Sequence, residues 1–435
     1  WEAERRAAFG DGAERFWRWQ ERTADLLWRA ALAGVPWPPQ GLADLPRLAA
    51  VGLDIARRDP WRLPGVALDA FRPAAARLAG LPDRLRRYVD GQLLISAQAT
   101  SERANALYGA AALDMPRRGA AHVRGGIGQI AAALADAVRR QGGQVRYRQR
   151  VTRVELGPAG PVAVETNKGA RFPADAVVFN LPPWDAAALV DAGGARHVSS
   201  GAVPCAELVA VPCAELVAVP CAELVEASAV RPSASSGRVC PQCEMHPAGR
   251  PALPADAWGA FMVYAGVDER IIPPGAALHQ QVLVRQPLGE GNSVFVSLSL
   301  PGDAARAPQG QRALTISTHT RLGPWWELFE RDRPAYEARK AEYTDRALAA
   351  AEIALPGLRG ALKLALPGTP VTFQRFTHRS WGWVGGFPQT SLFRARSPRL
   401  GPHLWLVGDS IFPGQSVLAT ALGGMRVAES MKRVA

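Results

Sequence analysis

The residues best placed to do chemistry lie at positions 403–425, HLWLVGDSIFPGQSVLATALGGM. The apolar run 404–407 reads as a short strand. Gly408-Asp409 makes a tight turn and Pro413-Gly414 a second one. Val417, Leu418, Ala421, Leu422 and Met425 then recur at helical spacing. A strand that feeds a helix through a glycine turn aims backbone N–H groups and the positive helix end at one spot. The matching ligand is an anion or the polar edge of a cofactor. Asp409, at the strand end, suits hydrogen bonds from sugar-like hydroxyls. The letters LVGD alone also fit an ordinary capped turn, because short motifs recur by chance.

A second loop, WGWVGGFP at 381–388, precedes that strand. Gly385 and Gly386 permit close backbone approach to a ligand; a plain glycine loop is the competing reading. Trp381 and Trp383 have the chemistry of an aromatic cage for an amine. The candidate reacting polar groups are His319, His378 and Arg379, against which stands a surface or structural role for each. Gly125, Gly126 and Gly128 look like a phosphate loop but lack its context. The dinucleotide fingerprint needs a strand directly before the glycines and an acidic residue after the second strand. Here the preceding residues are MPRRG at 115–119, which make no buried strand.

All five cysteines, at 205, 213, 221, 240 and 243, fall in one stretch. Cys240, Cys243 and His246 have the spacing of half a zinc site, with no second pair to complete it, so no metal is expected. Around the first three cysteines, VPCAELVA repeats with a period of eight. That period fits no solenoid, and a Pro in each copy prevents one continuous helix. Residues 197–250 therefore read as an inserted low-complexity loop outside both cores. With no cysteine elsewhere, a disulfide scaffold is excluded and the reducing cytoplasm is the default location.

The elements that must position these groups follow the apolar pattern. Residues 12–33 read as an amphipathic helix carrying Phe16, Trp19, Leu26 and Leu27, and further Pro-punctuated helices run to about 110. These aromatic-rich helices suit an ordinary core, the lining of an apolar pocket, or rest on a membrane surface. A helix over 130–140 leads to strands at 145–147 and 151–156, a hairpin over 161–172 and a buried strand over 174–180. Strands follow at 261–264, 293–300 and 314–318, then a helix over 336–355. The 435 residues allow two or more cores. Net charge is +12 with only four Lys, so the excess is Arg. That excess fits an anionic surface or an Arg-favouring codon usage. No nucleic-acid motif accompanies it, and no nucleic-acid partner is expected. No apolar run reaches the ~18 residues of a spanning helix.

Taken together, GGIG with its helix and RV strand, ADAVVFN, SLSLPGDAARAPQG…ISTHT and FTHR…VGG…LWLVGDS resemble the phytoene desaturase and amine oxidase superfamily. Within it they are similar to the carotenoid C-3',4'-desaturase and carotenoid isomerase branch. The resemblance covers about 120–195 and 257–435, in family order. It implies an FAD cofactor held by Gly408, Asp409, Pro413, Gly414, Gln415, Ser416 and Val417. Gly385 and Gly386 would lie beside it, and Val151 on its adenine side. It implies desaturation or isomerisation of a long apolar polyene such as a carotenoid, in a cytoplasmic enzyme with possible peripheral contact at the membrane. A flavin amine oxidase on the same fold, or a non-catalytic remnant, is the alternative.

The family's opening strand–GxGxxG–helix is missing from the pattern. It is expected upstream of Trp1, and this chain alone is expected to retain FAD weakly. The implied fold is a mixed α/β one. It has an FAD-binding Rossmann-like domain lacking its N-terminal βαβ unit, plus a substrate domain of antiparallel sheet and helices. The expected division is a helical part at 1–120, FAD-binding residues at 121–196, the insertion at 197–250, the substrate domain at 251–370 and a C-terminal FAD-binding segment at 371–435.

Overall fold

The structure is a computed structural model that describes residues 2–39, 41–119, 121–191 and 257–433. The period-eight repeat and every cysteine lie outside the described residues.

The largest sheet has the order β6-β7-β8-β5-β9. Its members are β5 (Trp258–Asp268), β6 (His279–Leu283), β7 (Ser293–Leu298), β8 (Gln311–Arg321) and β9 (Leu362–Gly368). β5 and β8 pair antiparallel from Trp258 opposite Arg321 to Asp268 opposite Gln311. Alternate residues face one side, as a pleated strand requires. Phe261, Val263, Val267, Val294, Leu314 and Ile316 are buried, and the long Arg333–Ala354 helix covers them through Tyr336, Tyr343, Ala347 and Ala351. Trp325 and Trp326, from the Gly323–Arg331 helix, close the end of this core.

A second core holds the N-terminal helices together. Phe16 and Trp17 of the Glu14–Leu32 helix pack against Leu85, Val89 and Leu93 of the Asp83–Ala97 helix. A third core lies under two small sheets. One is the hairpin set β1 (Val151–Gly157), β2 (Gly160–Thr166) and β3 (Arg171–Pro173); the other has the order β10-β11-β4. In the latter, β4 (Val177–Phe179) runs parallel to β11 (Leu404–Leu406), while β10 (Arg399–Gly401) is antiparallel to β11. Parallel neighbours need a long crossover, and here the whole five-stranded sheet lies between them in sequence. The fold is thus mixed α/β with antiparallel sheets.

Three elements depart from the sequence pattern. The expected strand at 145–147 does not form; that run is exposed, apart from half-buried Val145, and lacks a ladder partner. Its side chains settle on neighbours instead, with Arg146 over Phe172 at 4.8 Å and Arg139 donating to the Tyr147 hydroxyl at 3.2 Å. β6 and β9 were not legible. HQQVL carries little strand signal, and LKLALPG follows Pro356-Gly357, where the chain was expected to turn. MPRR at 115–118 is a helical turn, in line with the absence of a strand there.

Candidate functional site

The apolar triplets of β4 and β11 end side by side in polar turns. Val407 N–H donates to the Phe179 carbonyl at 2.8 Å, so Asn180 follows one strand where Gly408-Asp409 follows the other. At Gly408 φ is +98°, and a Cβ there would fall on Asn180 Oδ1. Both the conformation and the space require glycine.

Asp409 is held by Arg379, whose Nη2 donates to Oδ1 at 2.7 Å; the two side chains are 14% and 15% exposed. The Ser410 hydroxyl approaches the same oxygen at 3.4 Å. Arg379 follows the Pro370–Thr377 helix, which opens with a Thr369–Thr372 capping box and closes on His378 at φ 56°. That left-handed residue is exposed; it turns the chain and sends Arg379 toward β11. The next residue, Ser380, donates its backbone N–H at 2.9 Å and its hydroxyl to Asp185. Burial pushes the Asp185 carboxyl up, opposed in part by the Ser380 hydrogen bonds and the Arg379 charge. Trp383 is 1% exposed, packed against Trp184 and Phe387, with the Arg379 guanidinium 5.7 Å from its ring centre.

The glycines at 385 and 386 lie close to other parts of the chain. A Cβ at Gly386 would fall on the Asp409 carbonyl oxygen. Gly385 abuts Gln98 and Gln415, and Gly414 abuts Gln389. Gln98 closes the Asp83–Ala97 helix in the left-handed region. Its Nε2 lies 3.0 Å from Gln415 Oε1 and 3.3 Å from His319 Nε2. Burial depresses His319 to about 4, so its imidazole is neutral near pH 7. Beyond Pro413, Ser416 caps the Val417–Lys432 helix, accepting from the Ala419 N–H at 3.1 Å. The first turn of that helix is open, with Val417 50% and Leu418 37% exposed.

The structure therefore gathers His319, Arg379, Gly385, Gly386, Gly408, Asp409, Gly414 and Gln415 around one junction. His378 is at the edge and exposed. Val151 lies on β1, packed against the same apolar cluster as β4 and β11. The 125–128 glycines meet another loop: Gly125 N–H donates to Asp303 Oδ2 at 3.2 Å, and Gly126 lies against Arg306. Sequence reasoning missed Gln98, Asn180, Asp185 and Gln389. Asn180 was legible as the polar end of a strand facing a second strand end. Gln98 carried no signal. No helix is long and apolar enough to cross a membrane, and no group of three metal-ligating side chains occurs, both among the described residues.

A parallel strand pair whose polar ends converge on a glycine turn and an open helix start is an arrangement suited to a nucleotide-type cofactor. The family model described as flavin containing amine oxidoreductase matches residues 67–204. Among curated proteins, the chain is 26% identical over 315 residues to a chloroplastic prolycopene isomerase of Arabidopsis thaliana, covering 70% of this chain and 44% of that protein. It is 25% identical over 317 residues to the Daucus carota prolycopene isomerase, covering 70% and 43%. The chain thus spans less than half the length of these relatives. The chain is thus similar to the flavin-containing amine oxidoreductases over residues 67–204 and, over a longer stretch, to prolycopene isomerases. Among solved structures, an oxidoreductase from Methanosarcina mazei aligns with TM-score 0.49 at 13% identity, covering 82% of this chain and 68% of that one. A Pyrococcus furiosus protein aligns with TM-score 0.44 at 13% identity, covering 86% and 74%.

Proposed function

We propose that this chain is part of an FAD-dependent oxidoreductase that desaturates or isomerises a long apolar polyene of the carotenoid kind. One observation carries the reading: the strand–glycine turn–helix at 404–432 carries, within one short segment, the Asp409 carboxylate and an open, apolar first helical turn at Val417–Leu418. Helix N–H groups and an uncovered Val417–Leu418 face fit the polar rim and flat ring of a flavin. Gly408, Asp409 and residues 413–417 would hold it, with Gly385 and Gly386 shaping the opposite wall and Val151 backing the sheet. When bound, FAD would supply the redox chemistry, as acceptor of the two electrons that a desaturation releases. The chain's own residues orient and enclose. Arg379 keeps the Asp409 carboxylate fixed, and Trp184, Trp383 and Phe387 exclude water behind the site. The amine-cage reading finds less support, because the Trp383 ring is buried and already carries the chain's own cation.

The test is flavin binding by fluorescence quenching, followed by chromatography of a cis-polyene substrate after incubation. Asp409→Ala should weaken flavin binding at least tenfold, about 1.4 kcal/mol. Its flavin-loaded fraction should turn over at nearly the parent rate. Unchanged binding with lost turnover would make Asp409 a reacting group and sink the assignment.

Access to an apolar substrate is proposed to be from a membrane surface. Leu42, Trp61 and Phe71 are 83%, 92% and 75% exposed, and Arg57, Arg58 and Arg62 lie close to Trp61 in sequence. Co-sedimentation with vesicles containing anionic lipid should fall several-fold in a Leu42→Ser, Trp61→Ser variant. Equal binding of parent and variant would remove this face from the interaction.

A further inference from the structure

We propose that Gln98 and Gln415 are positioning residues that fix His319 as a neutral hydrogen-bond donor through its Nδ1–H. One group in this network has a role that cannot change. The Ile95 carbonyl only accepts, so the Gln415 side-chain atom 2.5 Å from it is the amide nitrogen. Gln415 must then present its oxygen to Gln98, 3.0 Å away. The Gln98 atom facing that oxygen is accordingly its own amide nitrogen. That nitrogen has two hydrogens, and His319 Nε2 lies 3.3 Å from it. Nε2 must accept, which puts the single proton of a neutral imidazole on Nδ1.

The surroundings support a built device. Gln98 is 6% exposed and adopts φ 54°, a conformation unfavourable for a residue with a Cβ. A Cβ on Gly385 would stand 2.5 Å from Gln98 Nε2 and 2.8 Å from Gln415 Oε1, so glycine there leaves room for the amide pair. Trp258 and His319 pack at a near right angle with ring centres 6.0 Å apart, and burial disfavours the imidazolium. His319 keeps partial solvent contact, and no further side-chain hydrogen bond to it is seen among the described residues. A fixed, neutral N–H suits an uncharged acceptor, a carbonyl oxygen or ring nitrogen, and not an anion. Placing that acceptor on a flavin or on an oxygenated polyene end rests on the proposed function; the proton position does not.

The experiment is long-range proton–nitrogen correlation NMR near pH 7 on the full chain labelled with 15N-histidine, with His319→Asn identifying the signal. The parent should show the Nδ1–H tautomer at His319. Gln98→Glu, which offers an acceptor in place of the donor, should move the proton to Nε2 or give the imidazolium. Gln98→Leu and Gln415→Leu should each give a mixture of tautomers. An Nε2–H tautomer in the parent would overturn the proposal, as would an unchanged Nδ1–H preference in both leucine variants. Should the Gln98 variants fail to fold, the parent and Gln415→Leu still decide it. No ligand is needed, so the result stands apart from that of flavin binding.

Discussion

Arg379→Met is expected to destabilise the chain by about 3 kcal/mol, because it leaves a largely buried carboxylate without its charged partner. The ion pair with Asp409 is short, and solvent reaches only about a seventh of either side chain. After the substitution, the Ser410 hydroxyl at 3.4 Å remains to Asp409 and replaces neither the charge nor the geometry. Asp409→Asn in the same background should recover much of the loss, since an amide needs no counter-charge. The measurement is a double-mutant cycle in denaturant, read from unfolding midpoints at constant slope. Additive single effects would mean that the pair is screened and contributes little. A positive coupling would show that the loop at 379–388 and the end of β11 are joined electrostatically.

Gly386→Ala is expected to have an effect of similar size through sterics alone. Its φ of +73° is strained for alanine, and the added methyl would meet the backbone oxygen of Asp409. A left-handed alanine costs about 1–2 kcal/mol, and forcing a group into a packed site adds about 1–3 kcal/mol. Backbone cannot rotate away as a long side chain does, so Asp409 must shift. Loss of thermal stability and weaker flavin binding should appear together. An alanine variant with parent stability would show that 385–388 is looser than this packing implies. Gly424→Ala is the control: a Cβ there meets nothing within 4 Å, and inside the Val417–Lys432 helix alanine should leave stability unchanged or raise it by up to about 1 kcal/mol.

Much of this was legible because it is local. The alternation at 293–300, the partner strand read at 314–318 and the helical spacing from 417 depend only on neighbouring residues; they fold as strands over Ser293–Leu298 and Gln311–Arg321 and as the Val417–Lys432 helix. The end of β11 was legible too, since Gly408-Asp409 joins a strand signal to a helix signal. What escaped was set by distant partners. Residues 145–147 alternate like a strand but find no ladder, and β9 is a strand because β5 lies beside it, from Val267 opposite Leu362 to Met262 opposite Gly368. Gln98 looks like any polar residue at a helix end; only the fold brings it to His319. Glycines 385 and 386 were legible as sites of close approach, but not which atoms of the chain approach them.

The junction of Gln98, His319 and Gln415 also has a history within each molecule. Its hydrogen bonds join residues 221 and 317 positions apart. Closing loops of that size costs chain entropy before any contact rewards it. The helices and hairpins can form early, each from its own neighbours, whereas this junction waits until the last segment of the chain arrives. Its assembly therefore reports completion of the fold. Any partial opening that detaches residues 404–432 severs it, even while the five-stranded sheet stays closed.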